Sequence, residues 1–483
     1  MTYTRGIIDL LVLGGGTAGI VGAKTAAGFG ARTVLVEQGR TGGDCLWTGC
    51  VPSKTLLSAA AQVNSLRPGA GGKPDFSVVR DRIATAIRTI EPADTPEALE
   101  NAGVEVLSGH VSFTGPGTAV RDGQVLRFRQ ALIATGGEPA NPVITGLDPA
   151  RTVTSETVWD LDSLPPRLAI LGGGPIACEL GQAFARLGAD VTMVVRSRIL
   201  PKETPEAVDI IRASLKADGV TILEDASISH ATSTAKGHRL HLEDRNGVDA
   251  DTVLLAVGRT PRTTGIGLEH VGVRLDDRRR VLTNDHMQTT NPLIWAAGDV
   301  TTHPQFSHLA GVHASVAASN AVLGLRRRVS SAIPRVTYTS PEIAAVTSSE
   351  CGQSATSRIV WHSHLDRAVA EDRTAGFTEL LVGRGGRVLG GTIVGPRAGE
   401  SLAELSLAVH RKLTTSDIAG ATHAYPTYSD GVWNAAVLDV RERLRSPLSR
   451  TAIKGLATLR RVALDVRRIN SKPGSRPQSG VQH

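Results

Sequence analysis

The chain has 483 residues, 41% of them hydrophobic and 20% charged; this length provides for about three domains with cores of their own, and the balance excludes wholesale disorder. Four cysteines are too few for a disulfide-stapled secreted scaffold, and the 52 glycines follow no collagen-like period. The formal charge of +7 is unevenly spread: residues 441–483 hold eleven Lys/Arg against two Asp/Glu, leaving the other 440 residues at −2 and excluding a basic body that wraps nucleic acid.

The first element is the apolar run Ile7–Leu13. Three glycines follow it and no small-residue cleavage pattern does, so it reads as a buried strand rather than the apolar core of a signal peptide. No apolar run approaches the ~18 residues of a membrane span, and the expected location is cytoplasmic. Gly14-x-Gly16-x-x-Gly19 then opens a helix of small residues, Ala18 to Phe29, and Thr33–Val36 completes a βαβ unit. Such glycines let the backbone approach a pyrophosphate at the positive helix N-terminus. Glu37, at the end of the second strand, is placed to hold a ribose with a free 2′-hydroxyl, as in FAD or NAD.

Cys45-Leu46-Trp47-Thr48-Gly49-Cys50-Val51-Pro52-Ser53-Lys54 comes next, with Cys45 expected in a loop and Cys50 at a helix start. Two cysteines five apart can close a disulfide, and a positive helix end lowers a thiolate pKa. In a reducing compartment such a pair points to catalysis or redox sensing, with buried structural thiols as the alternative; a zinc site would need two further ligands nearby. Residues Gly69–Pro74 read as a surface loop.

A second unit repeats the first 158 positions later. Strand Leu168–Leu171, the loop Gly172-x-Gly174-x-x-Ala177, helix Ile176–Leu187 and strand Val191–Val195 follow in order. Two such units imply two dinucleotide sites. Here Val195 replaces the acid, and Arg196, Arg198 and Lys202 follow. Losing the carboxylate and gaining cations suits a 2′-phosphate, so NADPH is the expected ligand and NADH the less favoured one. Cys178 reads as a core hydrophobe and Cys351 as a loop thiol. His303, His308 and His313 are spaced by five and read as a packed or solvated helix start with no role.

A strand-like segment, Leu293 to Asp299, ends in a carboxylate. Beyond Pro334 the extended runs Val336–Thr339, Phe377–Val382 and Val388–Val394 and the helix Ser401–Lys412 define a separate α+β domain. Residues 446–483 read as a flexible tail around one basic amphipathic helix, Thr451–Ile469. Its contact with an anionic membrane surface is less favoured than docking or disorder.

Taken together, Gly43-Asp44-Cys45-Leu46-x-x-Gly49-Cys50-Val51-Pro52-Ser53-Lys54, Ala134-Thr135-Gly136, Gly258-Arg259-x-Pro261, Ala297-Gly298-Asp299 and Gly390-Gly391 resemble the flavin-dependent pyridine nucleotide–disulfide oxidoreductases. That is the family of glutathione reductase, dihydrolipoamide dehydrogenase and mercuric reductase, and the likeness runs from Ile7 to Val440. The resemblance implies an α/β fold with two Rossmann-like dinucleotide-binding domains plus a C-terminal α+β dimerisation domain. The implied boundaries are 1–155 and 276–330 for FAD, 156–275 for NAD(P), 331–440 for dimerisation and 441–483 for the tail. By the same resemblance the protein is a homodimer, Cys50 faces the flavin and Cys45 exchanges with the substrate. Lys54 then lies near the flavin N5 paired with Glu179, Asp299 binds the ribityl chain, and Thr135, Gly136, Gly258 and Arg259 belong to the nucleotide contacts.

One segment departs from the family pattern. Disulfide-reducing members carry His-Pro-Thr-x-x-Glu, whose histidine moves the thiol proton; this chain has Tyr425-Pro426-Thr427-Tyr428-Ser429-Asp430. A phenol with a pKa near 10 is a poor base at neutral pH, and His423 lies two residues early. Tyrosine here resembles the mercuric reductase branch, so the expected acceptor is a metal ion, a quinone or another electrophile, with no resident metal site. No cysteine follows Cys351 and no N-terminal metal-binding domain is seen, so mercury itself is not the expected natural acceptor. The alternatives are a dihydrolipoamide dehydrogenase or small-disulfide reductase using Tyr425 or His423, and a non-enzymatic flavin or thiol redox sensor.

Overall fold

The computed structural model describes residues 6–66, 75–234, 237–244, 246–352 and 355–470. The loop expected at Gly69–Pro74 lies outside them. The chain divides into two compact units, residues 1–344 with 394–399, and residues 345–393 with 400–483.

In the first unit, strand Ile8–Leu13 is buried along its length except at Asp9, because a parallel strand covered on both faces must be apolar throughout. It pairs in parallel with Thr33–Glu37 on one side and Gln124–Ile133 on the other. Val104–Ser108 and Ile294–Ala296 extend the parallel part, and an antiparallel meander through Val111–Gly115 and Thr118–Arg121 completes seven strands. Helix Thr17–Gly28 lies against this sheet and is built of small residues for a steric reason: a Cβ on Gly22 would meet Leu132 Cδ2 at 2.4 Å.

The second sheet repeats the plan with five parallel strands, in the order Thr221–Leu223, Asp190–Val194, Arg167–Leu171, Thr252–Leu255 and Thr152–Thr154. Its helix Pro175–Leu187 starts with proline at the first turn, where the missing N–H has no partner to lose, and stops at left-handed Gly188. Both sheets present the carboxyl ends of their central strands to a glycine turn, the usual place for a ligand in an open α/β sheet. The helix Phe76–Ile90, capped by Asp75, and the meander were not foreseen from sequence.

In the second unit, Thr356–Trp361 and Phe377–Val382 pair antiparallel, and helix Asp430–Leu444 carries Asp439, whose buried carboxylate accepts from Arg358, Arg443 and Thr415. Two expectations need correction. Cys45 lies not in a loop but in a short helix, Gly43–Trp47. The basic helix is longer than Thr451–Ile469: it runs Pro447–Asn470, because Pro447 sits in its first turn while Ser446 Oγ accepts from the Ser449 amide, so the Ser-Pro step starts the helix instead of breaking the chain.

Candidate functional site

The first glycine turn opens onto a cleft of about 440 Å³, within the ~300–1,000 Å³ common for small-molecule sites. Gly14 has φ +105° and a Cβ there would lie 2.4 Å from the Ala134 carbonyl oxygen, so only glycine fits. A Cβ on Gly19 would lie 1.8 Å from the Gly14 carbonyl oxygen, which is what lets helix and strand touch. Gly16 is different: its Cβ would meet nothing closer than Gly43 Cα at 3.8 Å, and the residue lines the cleft. The free space above Gly16 and the helix N-terminus fit a pyrophosphate. Glu37 is already oriented, accepting from the Gly15 amide at 2.5 Å and the Gly39 amide at 2.6 Å, and it lines the same cleft. The residues present therefore fit FAD. Gly16→Val should leave folding intact and abolish FAD retention, whereas Gly14→Val should fail to fold. Flavin absorbance and a melting curve on both purified proteins check this, and flavin-loaded Gly16→Val would contradict it.

Farther along the cleft, Thr135, Gly136, Glu156, Arg262 and Asp299 form its wall. Arg259 lies among the acids, paired with Asp44, donating to the Gly137 carbonyl at 2.7 Å and standing 3.1 Å from Asp299 Oδ2. That last approach is out of line, so the buried Arg259 Nε has no hydrogen-bond partner. Burial pushes Asp299 above its ordinary pKa, against the pull of Arg259. Gly258, φ +133°, sets up the turn before Arg259.

The cysteine segment is pressed onto the first turn: a Cβ on Gly43 would lie 2.6 Å from Gly16 Cα, and one on Gly49 would lie 2.7 Å from the Asp44 carbonyl oxygen. Cys45 sits in helix Gly43–Trp47 and Cys50 begins helix Cys50–Leu66, both as free thiols. The pair is electrically asymmetric. The hydrogen bond from Cys45 lowers the Cys50 pKa to about 6, helped by Ser307 and the Lys54 charge and opposed by burial. That same bond, with burial, holds Cys45 well above the ordinary thiol range. Ser307 Oγ lies 3.2 Å from Cys50 Sγ. Cys45 and Ser307 line the first cleft, while Cys50 and Lys54 line a second, more open one of about 790 Å³ with Val51, Thr55, Asp81 and Arg82.

Lys54 Nζ lies 2.8 Å from Glu179 Oε2 and over the Tyr338 ring at 4.2 Å, and the other Glu179 oxygen accepts from the Tyr338 amide at 2.9 Å. The structure thus brings together two residues 125 positions apart, with the glutamate buried at 6% exposure. Because Cys50 titrates low, the reduced protein should show a thiolate absorbance step centred near about 6, present above that pH and lost as pH falls through it. Ser307→Ala should move the step upward, and an unmoved midpoint would remove Ser307 from the account.

At the second glycine turn, Gly172 has φ +129° with a Cβ position 2.3 Å from the Ala256 carbonyl oxygen, Gly174 is open, and Ala177 is fully buried in the helix. Val195 packs onto the turn: a Cβ on Gly173 would lie 2.5 Å from its Cγ1. Arg196 and Lys202, beyond it, are exposed. Arg198 is committed elsewhere, donating to the carbonyls of Pro201 and Glu203.

In the second unit, Tyr425 is exposed, and its hydroxyl donates to Asp366, whose hydrogen bond and charge hold the phenol above its ordinary pKa. Asp430 is buried and accepts from the Thr427 amide at 2.9 Å, so it shapes its own turn rather than orienting Tyr425. His423 has both ring nitrogens on acceptors, Glu404 at 2.8 Å and the Ala421 carbonyl at 3.1 Å. Burial works against its charge, but these two bonds and the Glu404 and Asp430 charges outweigh it and raise its pKa.

His303 and His313 pack edge to face at 4.6 Å, His313 buried and His303 half-buried, and His308 Nε2 meets the Pro334 carbonyl. Burial lowers the His313 pKa to about 4, with His303 adding to the shift. Cys178 is buried and Cys351 lies outside helices and strands. Among the described residues no cluster of three or more His, Cys, Asp or Glu could hold a metal ion. Sequence reasoning missed Ser307, Tyr338, Glu156, Arg262, Asp366 and Asp44; only Asp44, between a glycine and Cys45 in the most specific motif, carried a local signal.

Two dinucleotide turns, a polar cleft and an asymmetric thiol pair beside a lysine–glutamate pair define an NAD(P)H-driven flavin–thiol oxidoreductase. Residues 8–317 match the pattern of the pyridine nucleotide-disulphide oxidoreductases and residues 333–436 that family's dimerisation domain; the chain belongs to this family, which is FAD-dependent and takes electrons from NAD(P)H. It is 35% identical over 451 residues to the mercuric reductase of Streptomyces lividans, covering 89% of this chain and 95% of that protein. It is 32% identical over 456 residues to the dihydrolipoyl dehydrogenase of Thermus scotoductus, covering 89% and 96%. Among solved structures, LpdA from Mycobacterium tuberculosis superimposes with a TM-score of 0.83 at 27% identity, covering 91% of this chain and all of that one.

Proposed function

We propose that the protein is a cytoplasmic homodimer that delivers two electrons from NADPH to a metal ion, a quinone or another acceptor that needs no histidine base. The observation that carries this reading is Tyr425: its proton is held by Asp366 and its pKa is raised, so it cannot take a thiol proton near neutral pH. His423 does not replace it, since both of its nitrogens already face acceptors. The likeness to mercuric reductases supports the acceptor class, and the dimerisation domain supports the homodimer.

When bound, FAD supplies the two-electron chemistry that links a nicotinamide to a disulfide. The chain's own residues do the rest. Gly14, Gly16, Gly19 and Glu37 would hold the adenosine and pyrophosphate, and Thr135, Gly136, Gly258, Arg259 and Asp299 the remainder. Gly172, Gly174 and Ala177 would seat the NADPH pyrophosphate, with Arg196 and Lys202 on the 2′-phosphate. Lys54 keeps a positive charge beside the thiol pair, and buried Glu179 compensates it.

When the Cys45–Cys50 disulfide gains two electrons and one proton, its S–S bond breaks. Cys50 keeps the negative charge and Cys45 takes the proton, the order their opposed pKa shifts favour. Passing two electrons to the acceptor reforms the S–S bond and releases that proton to solvent. A soft metal ion suits this exit, because thiolates are its preferred ligands.

A screen of purified enzyme with NADPH and mercuric or cupric ions, quinones, lipoamide and glutathione disulfide tests the reading. Turnover is expected with metal ions or quinones and little with lipoamide. A general base contributes ~10²–10⁴-fold, so Tyr425→His should raise lipoamide turnover by at least about tenfold. Fast lipoamide turnover by the unmodified enzyme would overturn the assignment.

A further inference from the structure

Helix Pro447–Asn470 is long, regular and exposed on every side. Of residues 447–468 all but Ser449 are exposed, and Leu448, Leu456 and Leu459 show 86%, 67% and 69% of their surface. Leu448, Ala452, Leu456, Leu459, Ala463 and Val466 recur at steps of three and four and so share one face. Arg450, Lys454, Arg461 and Arg468 recur at steps of four and seven on the opposite face. Arg460 and Arg467 flank the apolar edge, where long side chains can keep their stems in an apolar phase and their charges in water. Six cations against Asp465 give the helix +5.

We infer that this helix is a membrane-surface anchor that lies flat on an anionic bilayer. Charge selects the partner. A second copy would set one +5 helix against another along the same apolar seam, where like charges at the flanks oppose pairing. Removing the helix's +5 from the +7 of the whole chain leaves +2, so no net negative charge draws the helix back onto the rest of the chain. An anionic lipid surface satisfies both faces at once, taking the leucines below its headgroups and the cations among them. The helix lies on the bilayer rather than crossing it: among the described residues none is long and apolar enough to span.

The test is flotation of the full-length flavin-loaded enzyme with vesicles of phosphatidylcholine alone or mixed with phosphatidylglycerol. Binding to the mixed vesicles should exceed that to phosphatidylcholine by at least about tenfold and weaken with salt. Leu456→Ser with Leu459→Ser, which leaves the charge unchanged, should abolish it, as should Arg450→Gln with Lys454→Gln and Arg461→Gln. NADPH oxidation should be unaltered in both variants. Equal recovery from both vesicle types, or full binding by the leucine variant, would overturn the inference. So would absence of vesicle binding together with a particle mass above that of the homodimer that is lost in the leucine variant, which would make the helix a self-association device.

Discussion

Cys50→Ser is expected to cut NADPH-driven reduction of the acceptor by at least about 10³-fold while leaving flavin bound, the scale seen when a residue that makes and breaks the reacting bond is removed. The reason is specific to this sulfur. Cys50 is the member of the pair stabilised as an anion, by Cys45, Ser307 and Lys54 together. Serine keeps the size and the hydrogen-bonding capacity but can neither form a disulfide nor ionise near pH 6. Cys45→Ser should be as damaging for turnover yet differ in one reading: a hydroxyl at position 45 still donates to Cys50, so the low-pH thiolate step survives. Stopped-flow reduction and the thiolate titration separate the two variants. If both bind flavin and still pass electrons to the acceptor at the original rate, the thiol pair is not the route.

Arg196→Glu is expected to raise the KM for NADPH by about 10–100-fold, corresponding to the loss of a charge-assisted bond worth ~1.5–3 kcal/mol. The KM for NADH should change by less than about threefold. Val195 presses onto Gly173 and so places Arg196 beside the turn, exposed and able to meet a 2′-phosphate. A newly introduced carboxylate there would repel that phosphate and accept from a plain ribose instead. Steady-state kinetics with both donors decide it, and equal changes for the two would remove the argument for NADPH.

The parts of this fold that could be read in advance are those where the backbone leaves no choice. Gly14, Gly19 and Gly172 are required by approaches of 1.8–2.4 Å to carbonyl oxygens, so both nucleotide turns stand out in the bare sequence. The parallel strands beside them are apolar apart from Asp9 and Arg167, because both of their faces are covered. The acid–base wiring was far less legible. Lys54 and Glu179 could be paired only through resemblance, and nothing near Ser307 announces that a helix 257 residues away starts at its hydroxyl. The cluster of Asp44, Glu156, Arg259, Arg262 and Asp299 gathers from four stretches of chain; motifs marked Asp44, Arg259 and Asp299, but Glu156 and Arg262 alone look like ordinary surface charges. Two helix starts were also missed: Pro447, read into the flexible tail, sits in the first turn of a helix, and Cys45, read into a loop, lies in the short helix Gly43–Trp47.

Ser307 is the first residue of helix Ser307–Leu323, whose start has no side-chain cap, and its hydroxyl is spent on Cys50. Once Cys50 is oxidised it no longer presents an anion to that hydroxyl, which is then free to turn toward the amides of its own helix. The opening turn of this helix therefore keeps a record of whether the sulfurs are joined: loosely tied while the enzyme is charged with electrons, better secured once they are spent. Amide exchange along that turn would read the enzyme's electron load without any coloured group being observed.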